Sequence, residues 1–370
     1  MKDFKCLLQM MTLLILLVVV GSCNSKGAIL YSSDTRDNIN NYITETLKLV
    51  DSATDSLGVV FHQAGSFQEY AKNVNKHDFK YGSCRSSIKD VAVLMDRSFE
   101  QLGADGIEID AQTIHGSQTN TNVYIVHDKI DEEKLSKNAN KYLENNTLTK
   151  VLSHFIQKQY YKPQNDSPLG KYLFIELKVP KQRLHLNHSP LNAKQKQYIE
   201  QIIDELQNTI ESDTGNTDMS TAIRRHIGFA SFNLYALEYA NNFSMRKQQD
   251  GYSFYFIAGT NRGLIGFLAN VFFSRDINYL DTKLSQRLIS HKWLNGIWFD
   301  PAGISRIAET FNNINSKREL PLVIYISTYK LKRQNYFKKL GKDLAKTGTE
   351  QPIKLKNVRG LFFDIRMWED

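Results

Sequence analysis

Cysteine is scarce in this sequence, with three cysteines among 370 residues. Cys6 lies in an apolar segment at the amino terminus, Cys23 follows that segment directly, and Cys84 is the only cysteine in the rest of the chain. If Cys23 carries a lipid, the folded body holds a single thiol and forms no intrachain disulfide bond. A chain of this length must then be stabilised by its hydrophobic core.

Compact basic blocks and nucleic-acid-binding motifs are missing, although the formal net charge is +8 at pH 7. The lysines and arginines are spread along the chain, which argues against a nucleic-acid partner. A diffuse positive charge suits a substrate that carries phosphate, or an anionic surface. The composition leaves the oligomeric state open.

The amino terminus has the features of a secretory signal. Lys2 and Lys5 precede an uncharged run over residues 6–22, which is too short and wrongly flanked for a typical spanning helix. Small residues close this run directly before Cys23, as in a bacterial lipobox, in which cleavage leaves the cysteine as an acylated amino terminus.

We therefore expect a signal peptide over residues 1–22 and a tether with an amino-terminal helix over 23–55. The protein would be anchored to a membrane through lipid on Cys23, in the bacterial cell envelope and outside the cytoplasm. An uncleaved membrane anchor is the alternative, and it places the bulk of the chain in the same compartment.

Eight short apolar runs alternate with helical stretches in the remaining chain. The runs are GVVFH (58–62), GIEID (106–110), YLFIELK (172–178), HIGFASF (226–232), YSFYFIAG (252–259), GIWFD (296–300), LPLVIYIST (320–328) and VRGLFFDIR (358–366). Eight strands separated by helices predict an α/β fold, a (β/α)₈ TIM barrel over residues 56–370. A doubly wound sheet is the alternative that the strand count leaves open. One connecting helix is predicted over Ser87–Leu102, with Gly103 as its stop.

Acidic residues mark the ends of two predicted strands, where the functional groups of a TIM barrel lie. Glu108 and Asp110 alternate with apolar residues and so share one face of their strand. Glu176 and Lys178 repeat this spacing on another strand. One lysine does not neutralise three converging carboxylates, so we expect a divalent cation, and ligation by oxygen favours Ca²⁺ or Mg²⁺. A structural ion-pair network is the alternative.

Two histidines accompany these acids. His62 ends the first predicted strand, and VYIVHD (123–128) is typical of a short strand that delivers His127. Because imidazole titrates near neutrality, the two residues could divide the work of general base and general acid. The sequence does not assign these roles between them.

The stretches VVFHQAG, LGADGIEIDAQ, VYIVHD and FIELK together resemble the glycerophosphodiester phosphodiesterase family, one of the phospholipase-C-like phosphodiesterases that share a TIM barrel. The resemblance is good over residues 57–180 and thin beyond them. It implies metal-binding acids at Glu108, Asp110 and Glu176, catalytic histidines at His62 and His127, and a phosphate-contacting lysine at Lys178.

The sequence departs from that family directly after His62. The family pattern is His-Arg-Gly, whereas Gln63 follows the histidine here. Arginine binds phosphate through two parallel hydrogen bonds, and glutamine carries no charge that could replace it. Arg85, which precedes the next predicted helix, is the candidate to supply the missing substrate contact.

The resemblance implies a metal-dependent phosphodiester hydrolase that acts on glycerophosphodiesters or related phospholipid head groups. Sphingomyelinase D and phosphatidylinositol-specific phospholipase C are similar barrels with two histidines, and phospholipases of those kinds are alternatives. A non-catalytic barrel lipoprotein with a binding role is a further alternative. The apolar segment GLIGFLANVFF (263–273) either contacts lipid or, as we favour, packs against the barrel.

Overall fold

The structure is a computed structural model in which part of the chain is described. The described residues are 33–48, 50–51, 57–62, 80–81, 84–85, 90–113, 122–126, 137–163, 169–179, 190–258, 282–299, 312–314, 316–318, 322–326 and 355–363. The signal region with Cys23, residue His127 and the segment 263–273 lie outside these ranges.

The described chain alternates strands and helices. The strands are β1 (Val50–Asp51), β2 (Gly58–Phe61), β3 (Lys80–Tyr81), β4 (Cys84–Arg85), β5 (Gly106–Thr113), β6 (Val123–Ile125), β7 (Tyr172–Leu177), β8 (Ile227–Ser231), β9 (Ser253–Ala258), β10 (Gly296–Phe299), β11 (Leu322–Ile326), β12 (Leu355–Lys356) and β13 (Val358–Phe363). The helices are α1 (Ser33–Leu47), α2 (Val91–Asp96), α3 (Lys137–Asn145), α4 (Leu148–Gln157), α5 (Ala193–Thr214), α6 (Thr217–Arg224), α7 (Leu234–Arg246) and α8 (Thr282–Ser290).

Eight parallel strands form a closed ring. The order around the ring is β2, β5, β7, β8, β9, β10, β11 and β13, and β13 pairs with β2. Seven ring strands lie within predicted apolar runs, and β5 extends three residues beyond its run, so the TIM barrel is confirmed. A doubly wound sheet is excluded because neighbours in the ring follow one another along the chain and the sheet has no open edge there.

The outward faces of the strands pack on the helices. Ile107 and Ile109 of β5 belong to the same buried cluster as Met95 and Phe99, which come from the helical segment before that strand. Burying side chains of this size stabilises the fold by about 1.5–3 kcal/mol each. The alternation of β5 therefore points Glu108 to the opposite side, into the barrel.

The helix before β5 matches its prediction over most of its described length. Asp90 caps α2 by accepting a hydrogen bond from the amide of Ala92. The helix continues as a π-helical segment, Arg97–Gln101, and Gly103 follows with a φ of 69°. A positive φ of this size favours glycine, which explains the stop at this position.

The interior of the barrel changes from apolar to polar along the strands. Phe174 fills the lower part, and its ring lies where a Cβ atom at Gly106 or Gly228 would approach within 2.7 and 2.5 Å. Only glycine leaves room for this ring. Val60, Trp298 and other side chains complete an apolar floor with Phe174.

The predicted amino-terminal helix is present as α1, and Val50 lies beyond its end in β1, where it pairs with Leu355. Strands β3 and β4 also pair with each other in antiparallel orientation, which was not predicted. Among the described residues, the structure has no helix with the length and apolar character needed to span a membrane.

Candidate active site

Five polar side chains predicted from the sequence meet at the carboxyl end of the barrel. Their positions are His62 directly after β2, Glu108 and Asp110 within β5, Glu176 near the end of β7, and Lys178 just beyond it. The three carboxylates are almost fully buried, with exposed fractions of 0, 3 and 5 % for Glu108, Asp110 and Glu176. Charged groups are rarely buried this deeply unless other groups balance them.

Lys178 balances two of these carboxylates. Its Nζ atom lies 3.0 Å from Oδ1 of Asp110 and 3.0 Å from Oε1 of Glu176. Burial lowers the pKa of Lys178, but the carboxylates of Asp110, Glu176 and Glu108 outweigh burial and raise it well above its ordinary value. The lysine is therefore positively charged at every physiological pH.

His62 lies against the third acid. Its Nε2 atom is 3.8 Å from Oε2 of Glu108, and its ring centroid is 5.4 Å from that of Phe362. The phenyl ring limits the imidazole on one side. His62 keeps partial contact with solvent, since 14 % of its side chain is exposed. It is thus placed to exchange a proton with a group that enters the mouth of the barrel.

The site has the donors that a divalent cation requires. One ligand atom each from His62, Glu108 and Asp110 lie within 4.8 Å of one another. Two ligands of one Ca²⁺ or Mg²⁺ ion are at most about 5 Å apart, given metal–oxygen distances of about 2.0–2.6 Å. Three carboxylates and one lysine leave two net negative charges, which one divalent cation neutralises. Position, distance and charge therefore fit a metal, with Glu176 joined to the group through Lys178.

The strand that carries the acids is braced by its neighbours. The amide of Val126 donates to the carbonyl of Asp110 at 2.9 Å, and β6 runs antiparallel to the end of β5. The buried hydroxyl of Tyr198 donates to the carbonyl of Ala111 at 2.5 Å. The predicted strand before His127 is confirmed as β6, and His127 itself, the next residue after Val126, is outside the described residues.

Glu205 of α5 holds β6 and α4 together, a role that sequence reasoning missed. One carboxylate oxygen accepts a hydrogen bond from the amide of Val123 at 2.8 Å, and the other accepts from the amide and hydroxyl of Thr149 at 3.2 and 3.0 Å. Burial raises the pKa of Glu205, and these hydrogen bonds oppose the rise without cancelling it. No local pattern in the sequence reveals these long-range contacts.

Trp298 is a second residue of the site region that sequence reasoning missed. It lies inside the barrel on β10, is 1 % exposed, and contacts the rings of Phe174, Tyr255 and Phe362. The alternation of side chains along the run GIWFD places residue 298 on the inward face, so its position inside the barrel could have been predicted. It was overlooked because a tryptophan in an apolar run is typical of any core.

Two predicted contributions involve positions whose side chains are not described. Arg85 lies in β4, where the backbone alone is described, and Gln63 falls outside the described residues. The proposal that Arg85 replaces the family arginine therefore stays a prediction. The lipid attachment at Cys23 stays a prediction for the same reason.

Comparisons with known proteins give only distant structural similarities. No family model matches the chain, and no curated protein matches its sequence significantly. A structure from Silicibacter pomeroyi DSS-3, whose assignment as a glycerophosphoryl diester phosphodiesterase is provisional, is 9 % identical with a TM-score of 0.43, covering 85 % of this chain and 94 % of the other. A glycerophosphodiester phosphodiesterase from Agrobacterium tumefaciens str. C58 is 10 % identical with a TM-score of 0.39, covering 85 % and 97 %.

A third similar structure is a GH26 β-mannanase from Bacteroides ovatus, 9 % identical with a TM-score of 0.38, covering 90 % of this chain and 87 % of the other. Proteins of different activity are thus matched to nearly the same low extent. The strand pairings above establish the TIM barrel, and the function has to be argued from the side chains at its mouth.

Proposed function

We propose that this protein is a metal-dependent phosphodiester hydrolase that acts on glycerophosphodiesters or related phospholipid head groups. The observation that carries the proposal is the convergence of His62, Glu108, Asp110, Glu176 and Lys178 at the carboxyl end of the barrel. These positions also match the motifs by which the sequence resembles the glycerophosphodiester phosphodiesterase family.

Glu108, Asp110 and Glu176 would hold the cation, and His62, whose Nε2 lies 3.8 Å from Oε2 of Glu108, would be kept for proton transfer. A bound Ca²⁺ or Mg²⁺ ion would supply positive charge to a non-bridging phosphoryl oxygen and lower the barrier to displacement of the leaving alcohol at phosphorus. Lys178 adds a second positive charge at the same place, because the surrounding carboxylates keep it protonated. Negative charge that develops on the phosphoryl oxygens would then be stabilised by the fixed positive charges of the site rather than by water.

Histidines would carry the protons of the reaction. We propose that His62 and His127 act as the base and acid that serve the attacking and leaving oxygens. His62 is suited to this task by its partial exposure and by its position beside Glu108. The attacking group is either a hydroxyl of the substrate or water.

Hydrolysis assays with a matched histidine pair test the proposal. Purified protein is expected to cleave bis(p-nitrophenyl) phosphate or glycerophosphocholine with Mg²⁺ or Ca²⁺ and to lose this activity in EDTA. His62→Ala should abolish cleavage. His226→Ala is the control, because His226 precedes β8 at the amino end of the barrel, away from the acids. Full activity in His62→Ala, or none with any diester and cation, would refute the proposal.

A second candidate, a non-catalytic barrel with a binding role, is favoured by one observation. Lys178 already pairs with Asp110 and Glu176, as it would in a structural ion-pair network. This candidate predicts binding of a phosphate ester without turnover. The same assays, extended to lysophospholipids, sphingomyelin and phosphatidylinositol, decide between the two and identify the alcohol that leaves.

A further inference from the structure

Trp298 lies at the depth of Glu108, the deepest of the three acids. The four side chains of one layer in a TIM barrel come from alternate strands, because the strands are tilted. The layer of Glu108 is followed around the ring by taking, on each next strand, the residue one position after the one that pairs with the preceding strand. This count gives Ala230 on β8, Trp298 on β10 and Phe362 on β13, and it returns to Glu108 on β5. Glu108 and Trp298 therefore face each other across the barrel.

The next layer toward the mouth contains two residues of the candidate site. The same counting places His62 and Glu176 in that layer. The ring of Phe362 joins the two layers, since its centroid lies 4.7 Å from that of Trp298 and 5.4 Å from that of His62. Phe362 therefore connects the ring of Trp298 to that of His62.

The indole N–H of Trp298 has no hydrogen-bond acceptor among the described residues, although the side chain is 1 % exposed. A buried donor left unsatisfied costs about 1–3 kcal/mol, and buried tryptophans ordinarily find a partner. Phe174 and Phe362 fill neighbouring positions of the floor without any polar atom. A phenyl ring at position 298 would pack there without this cost, so a bound ligand is a candidate source of the acceptor.

We propose that the Nε1–H of Trp298 donates a hydrogen bond to a phosphoryl oxygen of the ligand bound at the site, which makes Trp298 a substrate-binding residue. This inference rests on the proposed function, because that function puts a phosphate ester in the mouth. A neutral donor suits this position because Lys178 already supplies positive charge at the rim. A hydrogen bond from the indole would fix the orientation of the phosphoryl group.

Tryptophan fluorescence tests the contact without any turnover. The sequence has three tryptophans, and Trp293→Phe with Trp368→Phe leaves Trp298 as the only one. Titration with inorganic phosphate in the presence of Mg²⁺ should change the emission of Trp298 saturably. Glycerol 3-phosphate should do the same, and glycerol alone should not. An emission that phosphate leaves unchanged would overturn the inference, as would an equal response to glycerol.

Replacement of the N–H alone gives the second test. Site-specific β-(3-benzothienyl)alanine at position 298 keeps the bicyclic shape and removes the donor. Its affinity for inorganic phosphate, measured by calorimetry, should fall about tenfold, the loss of one hydrogen bond. Trp298→Phe should show at least this loss. Trp293→Phe is the control, because Trp293 packs on Phe254 outside the barrel and should leave the affinity unchanged.

The outcomes separate this inference from the proposed function. Diester hydrolysis by the wild type, together with unchanged phosphate affinity in the benzothienyl variant, overturns the role of Trp298 alone. Phosphate binding that depends on the N–H, without hydrolysis of any diester, supports the role of Trp298 and refutes the hydrolase. A wild type that neither binds phosphate nor hydrolyses any diester refutes both.

Discussion

The ammonium group of Lys178 lies 3.0 Å from a carboxylate oxygen of Asp110, inside the mouth of the barrel. Asp110 is 3 % exposed, so this contact is largely withdrawn from water. Attraction between opposite charges is stronger in such surroundings than at the surface. The lysine is therefore both part of the stability of the barrel and part of its candidate site.

Replacing Lys178 by methionine should be costly. The variant keeps the aliphatic stem but leaves Asp110 and Glu176 without their shared cation, and breaking a buried pair in this way costs about 3–5 kcal/mol. Denaturant unfolding in EDTA should show that loss. Added Mg²⁺ or Ca²⁺ should restore part of it, since the cation takes over the neutralisation of the acids.

Lys158→Met is the matched control for that variant. Lys158 also bridges two carboxylates, at 3.5 Å from Asp96 and 3.1 Å from Glu100, but its side chain is 42 % exposed. A surface pair contributes about 0–1 kcal/mol, so the control should lose little stability and gain nothing specific from a cation. Equal losses in the two variants would contradict a special role for Lys178.

Divalent cations should stabilise the wild type through Glu108. A ligand that binds only the folded state raises the free energy of unfolding by about 2.7 kcal/mol at one hundred times its dissociation constant. Thermal unfolding with Mg²⁺ and with Ca²⁺ should therefore show an increase in Tm, and Glu108→Gln should abolish it. Glu100→Gln, on the outer helical segment, should keep the increase. A cation effect that survives in Glu108→Gln would place the ion elsewhere.

The stability of the barrel should depend on pH through Glu205. Burial raises the pKa of this carboxyl in the folded state above its ordinary value of 4.5. A raised pKa means that the group favours folding below its unfolded pKa and loses this contribution as the pH rises through the folded value. The unfolding free energy of the wild type minus that of Glu205→Gln should consequently fall as the pH rises from below 4.5 toward neutrality. A difference that stays constant or grows would contradict the raised pKa.

Lipid attachment at Cys23 should decide where the protein resides. Expressed in a bacterial host, the wild type should incorporate labelled palmitate and enter the detergent phase of Triton X-114. Cys23→Ser should lose both properties, whereas Cys84→Ser should retain them. A Cys23→Ser protein that still fractionates with membranes would favour the uncleaved anchor.

Local sequence patterns predicted the strands and the polar residues on them. Alternation predicted that Glu108 and Asp110 share a face, and the repeat of this spacing at Glu176 and Lys178 predicted a second polar strand end. Both expectations are confirmed in β5 and β7 because side-chain direction within a strand depends only on the residues next to one another.

Local sequence patterns did not predict the contacts between side chains of different strands. The sequence by itself determined eight strands, their inward acids and the histidine at the end of the first. Only the tertiary structure decided that Lys178 reaches both Asp110 and Glu176 and that Trp298 lies level with Glu108. The physical reason is that the depth of a side chain in a closed barrel depends on strand tilt and on the register between strands far apart in the chain, which no local pattern records.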